Sequence, residues 1–593
     1  MAFSDKIKQF EGQNPFSDSQ ARNFSDTKIL SEFYPISLFW TLFNDQHEIL
    51  LGTRGSGKTF LLKMMRYSML KRINDKRAQN IIKNKTYIAM YVPMHLEFVT
   101  PINNTLLEEA TQVELFQVSF NCFLAKALLF EIEAILEEND NIEERMKKQI
   151  LLINAIEYAW FGENTSICDF IDLSAKIENA FYKIDWKYGK IDHIPPVFKR
   201  QICTPLIAVK DIICHQLDLV NDPTWIICVD EAEFLNPVLQ KCINSVFRSD
   251  SNRIVLKVAT LPFYHTTLET LETGIMVSDV NDFTYRVVDM QCESVDFVNL
   301  TNSLCAHRLY ERFNNREMCK SVEEFLGTIG NDDYIDYYRL EVGEDDSKRE
   351  IIEKNIIEEF PPKRKENAPQ YSNKRKTVFD KYAPIYYLRE MRKLSKTGNH
   401  KPGWYAGAKM VRKASQGNPR LFIQIMGRLF DKARESALSA KSQHEIIYKY
   451  CCELCESTKA LEVEGPLAYK NLKMISEKLM DKIHGQYLVS GGYSFIIHFK
   501  NEADFLNNQK WIELAIAYSR IHVEDEVKKS CLEPKTRYCV SNAYAIANWI
   551  PMRSDNVLEI HLDEKITNSY EIKKRKNKND EDGYRQLSLF GED

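Results

Sequence analysis

Two short stretches combine residue types suited to phosphoryl chemistry. LLGTRGSGKTF, Leu50 to Phe60, fits G-x-x-x-x-G-K-[ST], with Gly52, Gly57, Lys58 and Thr59 in the fixed places. Glycines at Gly52, Gly55 and Gly57 let successive backbone N–H groups turn inward around phosphates, and a helix that follows presents its positive end. Lys58 would reach the β and γ phosphates of ATP and the Thr59 hydroxyl would ligate Mg²⁺, with Arg54, Ser56 and Phe60 completing the cofactor-binding loop. TWIICVDEAEF, Thr224 to Phe234, is an apolar run that ends in acids. Asp230 is placed to hold Mg²⁺ through water and Glu231 to orient and deprotonate the attacking water, because phosphoryl transfer asks a protein mainly for positioning and charge stabilisation. Taken alone, such acids simply close a strand at a solvated loop; the upstream phosphate loop gives them a role. Glu233 reads as a spare acid or a helix N-terminal charge.

These groups need a scaffold that brings them to one edge. EILL, Glu48 to Leu51, reads as a strand entering the glycine turn, and Leu61, Leu62, Met65 and Met69 recur at helical spacing after it. Thr86 to Met94, the run ending at Asp230, and RIVLKVAT, Arg253 to Thr260, read as further strands. Strands alternating with helices predict a parallel α/β sheet covered on both faces, the P-loop NTPase arrangement. Lys58 and Asp230 lie too far apart in sequence for a minimal core, which predicts a mostly helical insertion at about residues 100–205. The expected organisation is an ATPase core over 1–290, a helical lid over 291–435 with a charged insertion at about 331–400, an α+β unit over 436–570 and a tail over 571–593. Gln486 to Phe499, QYLVSGGYSFIIHF, reads as a hairpin about a Ser-Gly-Gly turn.

The whole chain has 593 residues and a formal charge of -5, so no overall basic field advertises nucleic acid. Fourteen cysteines without framework spacing, and an opening MAFSDKIKQF without a secretory pattern, point to the reducing cytoplasm. No apolar run approaches the roughly 18 residues expected of a bilayer span. The C-x-x-C within CCELC, Cys451 to Cys455, has no second pair at zinc spacing and reads as buried helical cysteines.

The order GTRGSGKT, IICVDEAEFL, RIVLKVATLP and QGNPRLF resembles the AAA+ type ATPases of the initiator branch, related to origin-recognition and replication-initiator ATPases and to bacterial proteins built like them. The lead-in NPFSDSQARNF is also similar to bacterial members, and the resemblance spans about Asn14 to Phe430. It implies that Thr260 occupies the sensor-1 place, where many members carry Asn, and that Arg420 in GNPR matches the sensor-2 arginine on a lid that closes over nucleotide. Arg is always charged and forks onto phosphate oxygens, which suits that place. Arg248 in VFRSDSN sits where the family often places an arginine finger, with Arg253 the competing residue. A finger given to a neighbour implies a homo-oligomer with composite sites. A winged-helix-like DNA reader at the C-terminus would fit the family, although no helix with clustered Arg and Lys stands out. The basic bursts Lys363 to Lys365 and Lys374 to Lys376 read as phosphate contacts or as a solvated face.

QLSLF, beyond a charged tether, is similar to the peptide that bacterial replication and repair proteins insert into the sliding clamp. Leu587, Leu589 and Phe590 have no core to join and can bury in a partner groove, with the Gln586 amide as polar anchor; the alternative is a short helix docking on its own domain. The expected function is an ATP-hydrolysing, nucleotide-dependent switch on DNA or DNA-associated machinery, recruited by that clamp. The alternative is an anti-phage or stress-response signalling ATPase that assembles and controls an effector protein.

Overall fold

The computed structural model describes residues 12–327 and 405–562 apart from 21–23, 104–105, 166, 187, 220–221, 250–252, 314–318, 486–490, 525–531 and 554–556, together with Ile7 and parts of 385–395. The expected clamp-binding residues Gln586, Leu587, Leu589 and Phe590, both basic bursts, and the first run of the expected hairpin therefore lie outside the described residues.

Five parallel strands form the central sheet: β1 (Glu48–Leu51), β2 (Tyr87–Pro93), β3 (Thr224–Asp230), β4 (Ile254–Thr260) and β5 (Thr284–Val287). Their order is β2-β3-β4-β1-β5, so β4 separates the strand of the phosphate loop from the strand of the acids. Alternation along each strand explains why both faces are covered. Ile49, Leu51, Ile227, Val229, Leu256 and Val258 join one core, whereas Leu50, Ile226, Cys228, Val255 and Ala259 join the other. β1, β3 and β4 are buried throughout and mostly apolar, which made them predictable; the two charges within β1 and β4, Glu48 and Lys257, pair with each other at 2.9 Å. β5 was not anticipated: four residues at the sheet edge, none fully buried, leave little apolar signature.

Helices α1 (Asp26–Glu32) and α2 (Ser37–Thr41) precede β1, and α3 (Lys58–Met65) follows the phosphate loop. The expected single helix through Met69 is broken. Arg66 turns extended at φ -49°, ψ 138°, and α4 (Tyr67–Leu70) begins behind it. A buried carboxylate makes that break tolerable, since Glu131 accepts hydrogen bonds from Ser68 N at 2.7 Å and from Ser68 Oγ at 3.1 Å. After α5 (Lys76–Asn84) and β2 come the inserted helices: α6 (Leu96–Ile102), α7 (Glu109–Leu136), α8 (Ile142–Phe161), α9 (Phe170–Tyr182), α10 (Pro196–Lys199) and α11 (Thr204–Gln216). Helical structure thus extends past residue 205. By length and composition α7 is apolar enough to cross a membrane, which no reading of apolar runs anticipated; 72% of its most apolar window is buried inside the protein.

α12 (Pro237–Phe247) links β3 to β4. The region expected as the lid holds α13 (Val295–Phe313), α14 (Val322–Leu326), α15 (Ala408–Ser415) and α16 (Pro419–Glu435), which share one core with α17 (Ala440–Glu456) and with Ala543, Ile546 and Trp549 near the C-terminus. Cys451 is buried in that core. The C-terminal α+β region holds α18 (Gly465–His484), β6 (Ser494–His498), α19 (Glu502–Ala517), β7 (Ile521–Val523), β8 (Arg537–Val540), α20 (Asn542–Ala547) and β9 (Leu558–His561). Its sheet runs β7-β8-β6-β9, with β6 antiparallel to β8 and parallel to β9.

Candidate nucleotide site

The turn after β1 is shaped by what presses on it. Gly55 has φ +92°, and a Cβ there would lie 2.7 Å from both Arg420 Cβ and Asn418 Oδ1, so the start of α16 can approach only a glycine. Arg420 N donates to Gly55 O at 3.4 Å, and Asn418 Nδ2 donates to Arg54 O at 2.9 Å. Asn418 also caps α16, its side chain accepting from Arg420 N and Leu421 N. One residue thus starts the lid helix and ties it to the phosphate loop.

Arg54, Gly55, Ser56, Gly57, Lys58, Thr59, Phe60, Asp230, Glu231 and Arg420 all line one cleft of about 300 Å³. Lys58 Nζ donates to Gly52 O at 2.6 Å and to Thr53 O at 3.2 Å, which holds the ammonium against the inner wall of the loop. Burial holds Lys58 below the usual lysine range, opposed by Glu233, Asp289 and Asp230. Gly52 lies behind the loop, where a Cβ would meet Ser56 Oγ at 2.5 Å.

At the end of β3, Asp230 is buried, accepting from Tyr91 Oη at 2.8 Å and from Glu231 N at 2.9 Å, one bond on each carboxylate oxygen. Burial, then the Asp230 charge, push the Tyr91 phenol well above its ordinary range, so it stays a donor. Glu231 adopts φ 58°, and the 3₁₀ turn Ala232–Phe234 follows it. That turn carries Glu233, the acid of its first turn, to the cleft. Its Oε2 is buried and has no hydrogen-bond partner among the described residues. Burial raises the Glu233 carboxyl, with Lys58 acting against that shift.

The other expected residues are placed differently. Thr260 is buried at the end of β4, paired in register with Leu51 and accepting from Gly52 N at 3.4 Å; its hydroxyl has no partner among the described residues, and it does not line the cleft. Arg248 lies outside the cleft, half-exposed, with Nη1 donating to Asp282 Oδ1 at 2.8 Å. Arg253 bonds the Asp222 carbonyl. Sequence reasoning missed Asp289, just past β5, which accepts from Thr53 N at 2.9 Å and from Thr53 Oγ1 at 2.8 Å. It also missed the apolar half of the cleft, where Phe24, Phe33, Tyr34 and Ile36 of the lead-in face Leu300 and Ile423 of the lid; the aromatic insertions in residues 24–40 were its only signal.

The donor set lining the cleft is hard oxygen: the Thr59 hydroxyl, the Asp230 and Glu231 carboxylates and a third carboxylate oxygen, Glu233 Oε2, buried without a hydrogen-bond partner among the described residues. Such a set fits Mg²⁺ held with phosphate oxygens. The cleft therefore combines an amide-lined turn, one buried ammonium, acids across β4 and an arginine from the lid, an arrangement suited to a nucleoside triphosphate.

A model of the ORC-CDC6-like family matches residues 14–560. A comparison with curated proteins returned no match.

Proposed function

We propose, from the premise that the chain belongs to the ORC-CDC6-like family of AAA+ ATPases of the initiator type, that it binds and hydrolyses ATP with Mg²⁺ and uses the cycle as a switch on DNA-associated machinery. The observation that carries this reading is the convergence of Lys58, Thr59, Asp230, Glu231 and Arg420 on one cleft.

Phe24, Tyr34 and Ile36 take the base, and the loop over Gly55 to Thr59 takes the phosphates. Lys58 exchanges its loop carbonyls for phosphate oxygens. Thr59 and Asp230 would hold Mg²⁺, which supplies charge neutralisation at the β and γ phosphates when bound. Glu231 orients the attacking water and accepts its proton as the bond to the leaving diphosphate breaks. Arg420 answers the charge on the transferred group and so draws α16 toward the core. Thr260 senses the γ-phosphate through its place beside Gly52. Arg248 exchanges Asp282 for the nucleotide of a neighbouring subunit in a homo-oligomer. The tail residues Gln586, Leu587, Leu589 and Phe590 dock on a sliding clamp, and the chain acts in the cytoplasm.

The test is ATP turnover by the full chain with and without DNA and clamp. Lys58→Ala abolishes nucleotide retention, and Glu231→Gln keeps binding while losing at least about a hundredfold in turnover. Retention of ATP by Lys58→Ala, or full turnover by Glu231→Gln, removes the enzyme reading. Clamp capture that survives Leu589→Ala with Phe590→Ala removes docking through the tail, and a function indifferent to tail deletion favours the signalling alternative.

A further inference from the structure

The outer wall of the phosphate loop rests on the C-terminal region. Arg54 N donates to Ala517 O at 2.9 Å, so the loop satisfies one of the carbonyls left open at the C-terminal end of α19. The guanidinium of Arg54 lies over the ring of the next residue, Tyr518, at 5.3 Å from its centroid. A cation at the negative end of a helix and over an aromatic face is held twice by electrostatics. Arg54 Nε is buried without a hydrogen-bond partner among the described residues, while the side chain lines the cleft. The ring and the helix end therefore fix where this charge points.

A second contact anchors the ring. Glu462, between α17 and α18, accepts from Tyr518 Oη at 2.7 Å and from Tyr264 Oη at 3.1 Å. Tyr264 lies four residues beyond Thr260, so one exposed carboxylate joins α19 to the segment leaving β4. Further along, His522 Nε2 meets Gln416 Oε1 at 2.8 Å, next to the turn that sets the lid helix on Arg54 O. Loop, post-β4 segment and lid each touch the same short stretch, 517–522.

We propose that the C-terminal region supplies positioning residues to the ATP site: Tyr518 and Glu462 hold Arg54 and the outer wall of the phosphate loop, so nucleotide occupancy and the seating of this region are energetically linked. The inference rests on the ATP reading above. Linkage is reciprocal, so a seat that improves nucleotide binding is itself tightened by nucleotide to the same factor. The C-terminal region would thereby report the nucleotide state to whatever it contacts.

The test uses the full chain and ATP. Tyr518→Ala raises the Kd and KM for ATP roughly three- to tenfold, the scale of a lost cation–aromatic contact, with kcat held within about twofold. Tyr518→Phe and Glu462→Gln, which keep the ring, give smaller shifts in the same direction. Amide exchange at 517–523 slows when ATP binds the unaltered protein, and that slowing disappears in Tyr518→Ala although ATP is still bound at saturation. Unchanged affinity together with unchanged exchange in Tyr518→Ala and Glu462→Gln overturns the inference and leaves the ATPase reading standing. If the unaltered chain retains no ATP, both fall together.

Discussion

Asp289 illustrates how a residue outside every motif can decide whether a motif works. Its carboxylate holds both the backbone N–H and the hydroxyl of Thr53, and thereby the carbonyl on which Lys58 rests. Asp289→Ala strands a buried pair of donors at a cost of about 1–3 kcal/mol, and the same change weakens nucleotide binding without touching a phosphate; thermal unfolding and ATP titration of the variant check both. The fixed residues of the loop were legible because glycine, lysine and threonine have separate mechanical reasons to stand where they do. Asp289 was not, because it lies 236 positions from Thr53 behind a strand too short to announce itself. Glu233 was hidden differently. Only a left-handed residue followed by a 3₁₀ turn returns it to the cleft, and neither feature has a strong sequence signature at Glu231.

Among elements, the lid helix α16 depends on its first turn. Asn418→Ala removes the cap of α16 and the bond to Arg54 O together, and is expected to lower stability by about 1 kcal/mol or more while loosening the lid. Chemical denaturation, compared with and without ATP, reads the two parts. Gly417 adds a steric condition: at φ +72°, a Cβ would sit 1.8 Å from Met290 O, so Gly417→Ala forces the lid away from the segment after β5. The strands beside the site were foreseeable from buried apolar runs. The broken helix after the phosphate loop was not, because the capping group, Glu131, comes from the insertion 63 positions later.

Across the molecule, buried ionisable groups set the response to acid. Burial lowers His47, His265 and His444 to about 4, so each stays neutral in the folded chain while the unfolded chain titrates near its ordinary value. Their contribution is complete above about pH 6.5 and is lost as pH falls toward 4. Glu131 opposes them. Burial raises it to about 7, so its contribution is present below the ordinary Glu value and lost as pH rises through 7. The three histidines outweigh it, and stability is expected to fall between pH 6.5 and 4.5. Denaturation across that range checks the sign: His444→Gln shows a shallower fall, Glu131→Gln a steeper one. His444 is the informative position, stacked on Tyr405 at 5.2 Å and beside Trp549, where lid and C-terminal region meet. The long inserted helix α7 carries a separate consequence for biogenesis. It is synthesised before α9, α10, α11 and α12, all of which pack on it. At ordinary elongation rates a ribosome needs on the order of ten seconds to make that cover. During that interval the nascent chain displays a greasy rod that holdase chaperones, or a targeting machinery scanning for anchors, would recognise. The timing of translation through the stretch from α7 to α12 thus bears on the yield of native protein.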